Sequence, residues 1–295
     1  MQTVIANRED FFNPNCYPIA LRTIQANTVM SHDGDLTDTK HTHDFAELII
    51  ITNGGGSHWI NGTVYEVTAG DIFLIQGKTS HYFTKRRNLE MYNIMFDDHF
   101  LRDHLRNLHT MPGFNAFFLF EPTYRKRHKF SSRLHLTADS LFSLTSLLRQ
   151  MVTESTAQGI GYDLILLSKT LEIFVMISRE YARSRNPMVK SLFRLGEVIT
   201  RLENDYTQEW SVAKLSKIAS MAPSTLLPVF KEVTGVSPIE YLLRVRVTKA
   251  AELLSRTTAS ISDVARSCGF TDSNYFSRQF KKHYNLSPRE FRKTS

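Results

Sequence analysis

The chain has 295 residues, of which 42% are hydrophobic and 22% charged, and a formal net charge of +7. That balance fits two globular domains and excludes disordered and collagen-like classes. The longest apolar runs, residues 47–52 and 71–76, are strand-length and far short of the roughly 20 residues of a membrane span, and the opening MQTVIANREDFF lacks a secretion signal's basic and apolar segments. A cytoplasmic protein with no membrane partner is expected. Cys16 and Cys268 are too few for a disulfide framework or a four-cysteine zinc site and read as ordinary thiols.

Residues 19–96 read as short strands with tight turns. Asn61-Gly62 between SHWI and TVYEV is a strong hairpin signal, because both central residues must accept positive φ. Gly54-Gly55-Gly56 predicts a second turn and Gly70-Asp71 a third. Closely spaced strands punctuated this way predict a sandwich or small barrel.

Within this region KHTHDFAELIIIT places His41, His43, Phe45 and Glu47 two apart, hence on one face of a strand. GDIFLIQGKTSH then ends in His81. The two segments resemble the paired motifs of the cupin barrel, with Gln76 standing where cupins usually carry proline. Three readings of the histidines stay open: hydrogen-bonded barrel residues, a metal site of His41, His43, Glu47 and His81, or direct contact with a small polar effector. For the last, polar side chains interleaved with aromatics suit a sugar, whose hydroxyls need partners and whose ring face needs an apolar surface. The expected lining is His41, His43, Glu47, Trp59, Tyr65, His81, Tyr92 and Asn93, with no cofactor.

After an irregular stretch at residues 111–133, helical periodicity begins. Leu141, Leu144, Leu147, Leu148 and Met151 recur at spacings of three and four, as do Leu164, Leu167, Leu171, Phe174 and Ile177. These two amphipathic helices either cover the barrel or supply a dimer interface. Asn186-Pro187 disfavours helix and predicts the domain boundary.

Residues 190–295 hold 17 Lys and Arg against 10 Asp and Glu, whereas the remainder is neutral. A positive excess confined to one part suits contact with a polyanion, although a basic solvated surface would look the same. This part also repeats itself. VFKEVTGVSPIEYL and QFKKHYNLSPREFR align at an offset of 50, matching Phe230 with Phe280, Ser237 with Ser287 and Pro238 with Pro288. Each copy has helix-turn-helix grammar. In the second copy Ser262, or alternatively Ser260, caps a helix through Val264, Ala265 and Cys268. Gly269 makes the left-handed turn, and Asp272 or Ser273 caps a helix turning Tyr275, Phe276 and Phe280 inward. Ser273, Asn274, Ser277, Arg278, Lys281 and Lys282 face away, with the donors and cations that base edges and phosphates require. In the first copy Pro223 sits in the first turn, where its missing N–H costs nothing, and Leu226, Val229 and Phe230 face inward. Residues 238–256 read as one connecting helix, long enough to set two recognition helices about one DNA turn, roughly 34 Å, apart.

From Trp210 to Arg292, above all in ISDVARSCGFTDSNYFSRQFKKHYNLSPREFR, the chain resembles the AraC/XylS family of bacterial transcription regulators. The resemblance implies a pair of helix-turn-helix subdomains on promoter DNA, a cupin-like sensor, RNA polymerase as a partner and a homodimer. Within the family, HTHDFAEL, GDIFLI and HYF look most like the L-rhamnose regulators. One departure stands out: Leu227-Pro228 occupies a place where the family usually has a polar or basic residue. The first recognition helix is therefore expected to read thymine methyls through Leu227, with Ser224, Thr225 and Lys231 making polar contacts, while the second carries most direct readout.

The expected fold is α+β: a cupin-like β-barrel over residues 1–135, a helical appendage over 136–184, a linker at 185–190, and an all-α domain of two helix-turn-helix subdomains joined by a long helix over 191–295. The expected function is that of a sugar-responsive, DNA-binding activator of a carbohydrate catabolic operon rather than an enzyme. A metal-dependent cupin enzyme and an effector-independent regulator are the alternatives.

Overall fold

A computed structural model describes residues 3–26, 37–97, 99–100, 106–128 and 134–294. The chain divides into two compact units, Met1–Arg106 with Phe117–Lys190, and Asn107–Ala116 with Ser191–Ser295.

The first unit is built on an eight-stranded sheet: β1 (Val4–Ala6), β2 (Ile19–Ile24), β3 (His41–His43), β4 (Ala46–Ile60), β5 (Thr63–Thr68), β6 (Asp71–Ile75), β7 (His81–Phe96) and β8 (Leu134–His135). β4 and β7 are long antiparallel partners, and each bridges two sets of neighbours. β4 pairs with β6 through its first half and with β5 through its second, while β7 also takes β2 and, at His81, β3. Ile49 and Ile60 would stand about 36 Å apart on a straight strand, yet both join one buried cluster with Ile24, Tyr65, Phe73, Phe83 and Met91. The sheet therefore curls around an interior.

The bend lies where the sequence suggested a turn. Gly54-Gly55-Gly56 does not end a strand; β4 runs through it with register shifts between Ile51 and Ser57. A Cβ at Gly54, where φ is +68°, would fall 2.0 Å from the Asn88 carbonyl oxygen, and one at Gly55 would fall 2.6 Å from that of Val67. Glycine lets three backbones approach at the bulge. The other two turns are as expected: Asn61 and Gly62 take φ of 45° and 91°, and Gly70 takes 96°.

Outside the sheet, α1 (Glu121–His128), α2 (Ala138–Ala157) and α3 (Tyr162–Arg183) complete the unit. Leu144, Leu147, Leu148 and Met151 of α2 are buried. The buried side of α3 is Leu166, Ile173, Phe174, Ile177 and Tyr181, so Leu164 is exposed and Leu167 and Leu171 half-buried, against the single stripe expected. Of the stretch expected to be irregular, 129–133 lie outside the described residues and 112–128 are helical: Pro112–Phe114 and Asn115–Phe120 lead into α1. Its aromatic run drives this, since Phe117 packs on Tyr181 at 5.6 Å and Phe118 on Phe174 at 4.5 Å between centroids.

In the second unit α4 (Pro187–Asn204) precedes α5 (Val212–Ala219), α6 (Pro223–Thr234), α7 (Pro238–Arg256), α8 (Ile261–Ser267), α9 (Ser273–Tyr284) and α10 (Pro288–Thr294). The duplication shows in the caps. Ser237 and Ser287 each accept from the N–H of a glutamate three residues on, with proline at the first helical position. Residues 107–116, assigned to the barrel from sequence, cluster here instead. Gly196 of α4 is the reason: a Cβ there would fall 2.2 Å from the Pro112 carbonyl oxygen. Asn115 Nδ2 also donates to the carbonyl oxygens of His109 and Gly196 at 2.7 and 3.3 Å, and to Thr200 Oγ1 at 3.1 Å.

Candidate functional site

The curled sheet gathers a polar cluster in its interior. β3 turns His41 and His43 inward, β4 brings Glu47, and β7 brings His81 and Asn93; all five are buried. His41 and His81 are direct cross-strand partners, with ring centroids 4.2 Å apart. His43 Nδ1 bonds the Phe45 carbonyl oxygen at 2.7 Å, and its ring stacks on Phe45 at 4.4 Å. His41 Nδ1 bonds the Thr39 carbonyl oxygen at 2.8 Å. Asn93 Nδ2 donates to Glu47 Oε1 at 2.6 Å. Glu47 Oε2 stands 3.2 Å from His81 Nε2 and 3.4 Å from His43 Nε2, in hydrogen-bond geometry with neither. One ligand atom from each of His41, His43, Glu47 and His81 lies within 4.8 Å of the others, so these four could hold a metal ion.

A residue absent from the expected lining completes the cluster. His58 Nε2 lies 3.3 Å from His81 Nδ1, and the His58 ring stacks on Phe83 at 4.0 Å. Its position follows from the bulge. Alternation from Glu47 would turn residue 59 inward, but the register shifts invert the parity, and His58 takes the interior while Trp59 goes outside. There Trp59 packs on Tyr82 at 5.2 Å and under Lys40 at 4.9 Å. Tyr92 is also placed apart, because it neighbours Asn93 on one strand and so occupies the opposite face. Tyr65 does face inward, 5.9 Å from Phe73, and lines a cavity of about 50 Å³ with Gln76, Thr79 and Arg125, room for a few waters only. Burial, reinforced by Arg125 and His41, holds the His58 pKa well below the ordinary imidazole value, and burial with the neighbouring histidines does the same to His81.

The second unit presents a different surface. The two helix-turn-helix pairs are α5–α6 and α8–α9, joined by α7, whose 19 residues span about 28 Å. Ser224, Thr225, Lys231, Asn274, Arg278, Lys281 and Lys282 are exposed; Leu227, Ser273 and Ser277 are half-buried. Ser277 Oγ donates to the Ser273 carbonyl oxygen at 2.9 Å. Pro228 lies inside α6, which continues through it. Asp272 caps α9, whereas α8 is capped by Ser260 and not Ser262. Tyr275, expected inside, is 37% exposed; Phe276 and Phe280 fill that core with Cys268. Cys268 is inert, since burial pushes its thiol up to about 11.

Two contacts tie the second pair to the rest of the unit. Arg246 of α7 donates through Nε to the Tyr206 carbonyl oxygen at 2.7 Å and through Nη2 to that of Gln208 at 2.8 Å. Gly269, at φ +81°, lies so close to this loop that a Cβ would fall 2.8 Å from Thr207 Cα. Nothing in a spacing pattern announces Arg246, because its partners are backbone carbonyls some 38 to 40 residues away.

Family models match both parts of the chain. Residues 31–173 match the family described as "AraC-like ligand binding domain", and residues 215–294 match that described as "Helix-turn-helix domain". The chain is 30% identical over 253 residues to the HTH-type transcriptional activator RhaR of Escherichia coli, covering 86% of each. It is 27% identical over 252 residues to the protein of that name from Mannheimia succiniciproducens, covering 85% of this chain and 86% of the relative. The DNA-binding domain of AdpA, solved with a target DNA, superposes with a TM-score of 0.33 at 28% identity, covering 34% of this chain and 91% of that one. Among the described residues no helix is long and apolar enough to cross a membrane. With a ligand-binding domain followed by paired helix-turn-helix units, and relatives that activate transcription, this chain belongs to the AraC family of DNA-binding transcription regulators.

Proposed function

We propose that this regulator is a cytoplasmic, homodimeric activator of a carbohydrate catabolic operon, switched by a sugar bound inside the sensor barrel. The carrying observation is the interior cluster of His41, His43, Glu47, His81 and Asn93. Glu47 Oε2, Asn93 Oδ1 and His58 Nδ1 are buried without a hydrogen-bond partner among the described residues. An unsatisfied buried polar atom costs about 1–3 kcal/mol, and sugar hydroxyls would supply partners while Phe45 and Phe83 offer apolar faces. Trp59 and Tyr92 fall outside this lining, and Tyr65 belongs to its far end.

Binding shifts the regulator only if the sugar prefers the DNA-competent state. In that state the second recognition helix makes base contacts through Asn274 and Arg278, with Ser273 and Ser277 in support and Lys281 and Lys282 on phosphates. The first helix uses Ser224, Thr225, Leu227 and Lys231. RNA polymerase is recruited to the promoter beside it. Exposed Phe142 of α2 and Leu164 and Ile165 of α3 support dimerisation through the sensor helices.

A thermal-shift screen of deoxy-sugars, pentoses and uronic acids tests the sensor, since a ligand at 100 times its Kd stabilises by about 2.7 kcal/mol. One class should raise the melting temperature, and Asn93→Ala should abolish the rise. A screen in which no sugar stabilises the protein, or in which Asn93→Ala responds like the parent, removes this reading.

A further inference from the structure

A connecting helix sets the distance between two helix-turn-helix pairs, but it leaves their mutual rotation to the packing at each of its ends. The second unit holds a further contact between the pairs that does not run through α7. The loop at Tyr206–Gln208 belongs to the side of the first pair, since it joins α4 to α5. Gly269 lies in the turn of the second pair, between α8 and α9. The two backbones touch there: a Cβ on Gly269 would stand 2.8 Å from Thr207 Cα and 3.1 Å from Arg246 Cζ.

Arg246, near the middle of α7, closes this junction. Its Nε and Nη2 donate to the carbonyl oxygens of Tyr206 and Gln208 at 2.7 and 2.8 Å, and its Cζ stands 5.9 Å from the Phe270 ring centroid. Phe270 packs in turn on Tyr275 at 6.3 Å and on Phe276 at 5.0 Å, both near the start of α9. One side chain therefore meets three parts: the rod, the loop leading into the first pair and the turn leading into the second recognition helix. A guanidinium suits the place, because its rigid fork serves two acceptors along one edge while its cation lies within reach of an aromatic ring. The junction also adjoins the end of α9 that matters for DNA. Asn274 follows Gly269 by five residues, and a recognition helix contacts base edges with its N-terminal residues. Displacement at Thr207 and Gly269 moves that end relative to Ser224 and Thr225, in the first turn of α6, without altering any side chain assigned to DNA.

We propose that Arg246 is a positioning residue, which locks the two recognition helices in one mutual phase and so sets the spacing that the protein accepts between the two halves of its DNA site. Its donors are spent on backbone carbonyls, and it acts through α6 and α9 rather than on bases or phosphates. This role requires that α6 and α9 both meet one duplex, as in the proposed function.

The test uses the full chain and the shortest duplex, selected by it from random sequence, that one protomer covers, with versions of that duplex lengthened or shortened by one base pair between the halves. One base pair shifts a half by about 3.4 Å and turns it by about 34°. Fluorescence anisotropy should show the parent at least about tenfold weaker on both altered duplexes. Arg246→Lys keeps the charge and loses the fork; its preference for the selected spacing should fall to about threefold or less, with the salt slope of the parent, because no phosphate contact is lost. A residue needed only for folding would lower all three affinities by one factor, so an unchanged preference in Arg246→Lys overturns the proposal. Should that variant fail to fold, hydroxyl-radical footprints of the parent decide. On the lengthened duplex protection should persist over one half and fade over the other, whereas equal protection of both shows helices that adjust independently and overturns the proposal. Protection of a single half on the selected duplex itself removes the two-helix reading, and this role with it.

Discussion

Gly269→Ala is a sharp test of the packing around the second helix-turn-helix pair, and Gly235→Ala is its internal control. Both glycines lie in the same unit at nearly the same φ, +81° and +77°. The left-handed conformation costs an alanine about 1–2 kcal/mol at either place. At Gly235 that is the whole effect, because a Cβ would meet nothing within 4 Å. At Gly269 it would meet Thr207 Cα at 2.8 Å and the Thr207 carbonyl oxygen at 2.9 Å. These are backbone atoms, flanked by two carbonyls that Arg246 holds, so relief requires moving the loop or losing those bonds. Overpacking of this kind adds roughly 1–3 kcal/mol, and Gly269→Ala should total about 2–5 kcal/mol. Urea unfolding in a Trp59→Phe background measures the difference, since Trp210 is then the only tryptophan and reports on this unit through its bond to the Asp205 carbonyl oxygen. If the two alanine variants share one midpoint at equal slope, the close approach at Thr207 carries no energy and the reasoning is wrong.

On DNA, Arg278→Ala should lose about 1–3 kcal/mol at the specific site and relax base preference there, whereas Lys281→Ala should weaken all sequences alike and lower the salt slope by about one; equal loss of specificity in both would contradict that division of labour. The barrel should lose stability in acid. His58 and His81 are held neutral by burial, so their folded pKa values lie below the unfolded ones. The stability they confer is whole above about pH 6.5 and falls by up to ~1.4 kcal/mol per histidine for each pH unit below it. In chelator-containing buffer, His58→Phe should keep the stacking on Phe83 and remove one histidine's share of that slope. An unaltered slope would show that the parent His58 is not the proton-linked group.

The sequence disclosed most where local chemistry dictates the outcome. Asn61-Gly62 needs two positive φ angles and forms its hairpin, and residues 238–256 form the one connecting helix that their apolar pattern suggested. AraC-type membership followed from a text some eighty residues long. What eluded reading depends on partners distant in the chain. Gly54 to Gly56 looked like a turn because a bulge and a turn both demand glycine; only β5 and β7 pressing on either side distinguish them. The same bulge sets Trp59, expected in the lining as an aromatic partner for a sugar, on the outer face and turns His58 inward. Tyr275 was assigned to a core that Phe270, Phe276 and Phe280 already fill. The exposure of Ser224, Thr225, Lys231, Asn274, Arg278, Lys281 and Lys282 was legible because exposure on a helix follows from its apolar stripe, while Arg246 left no local trace.

The strap formed by Asn107–Ala116 changes what counts as a part of this molecule. Residues 107–116 belong to the second unit, where Asn115 donates to the Gly196 carbonyl oxygen and to Thr200, although the residues numbered before and after them belong to the first. The second unit is consequently discontinuous along the chain. A truncation beginning at residue 191 removes a piece of the body it is meant to isolate, stripping cover from α4 at Gly196, and a faithful miniature would need residues 107–116 restored by fusion or added as a peptide.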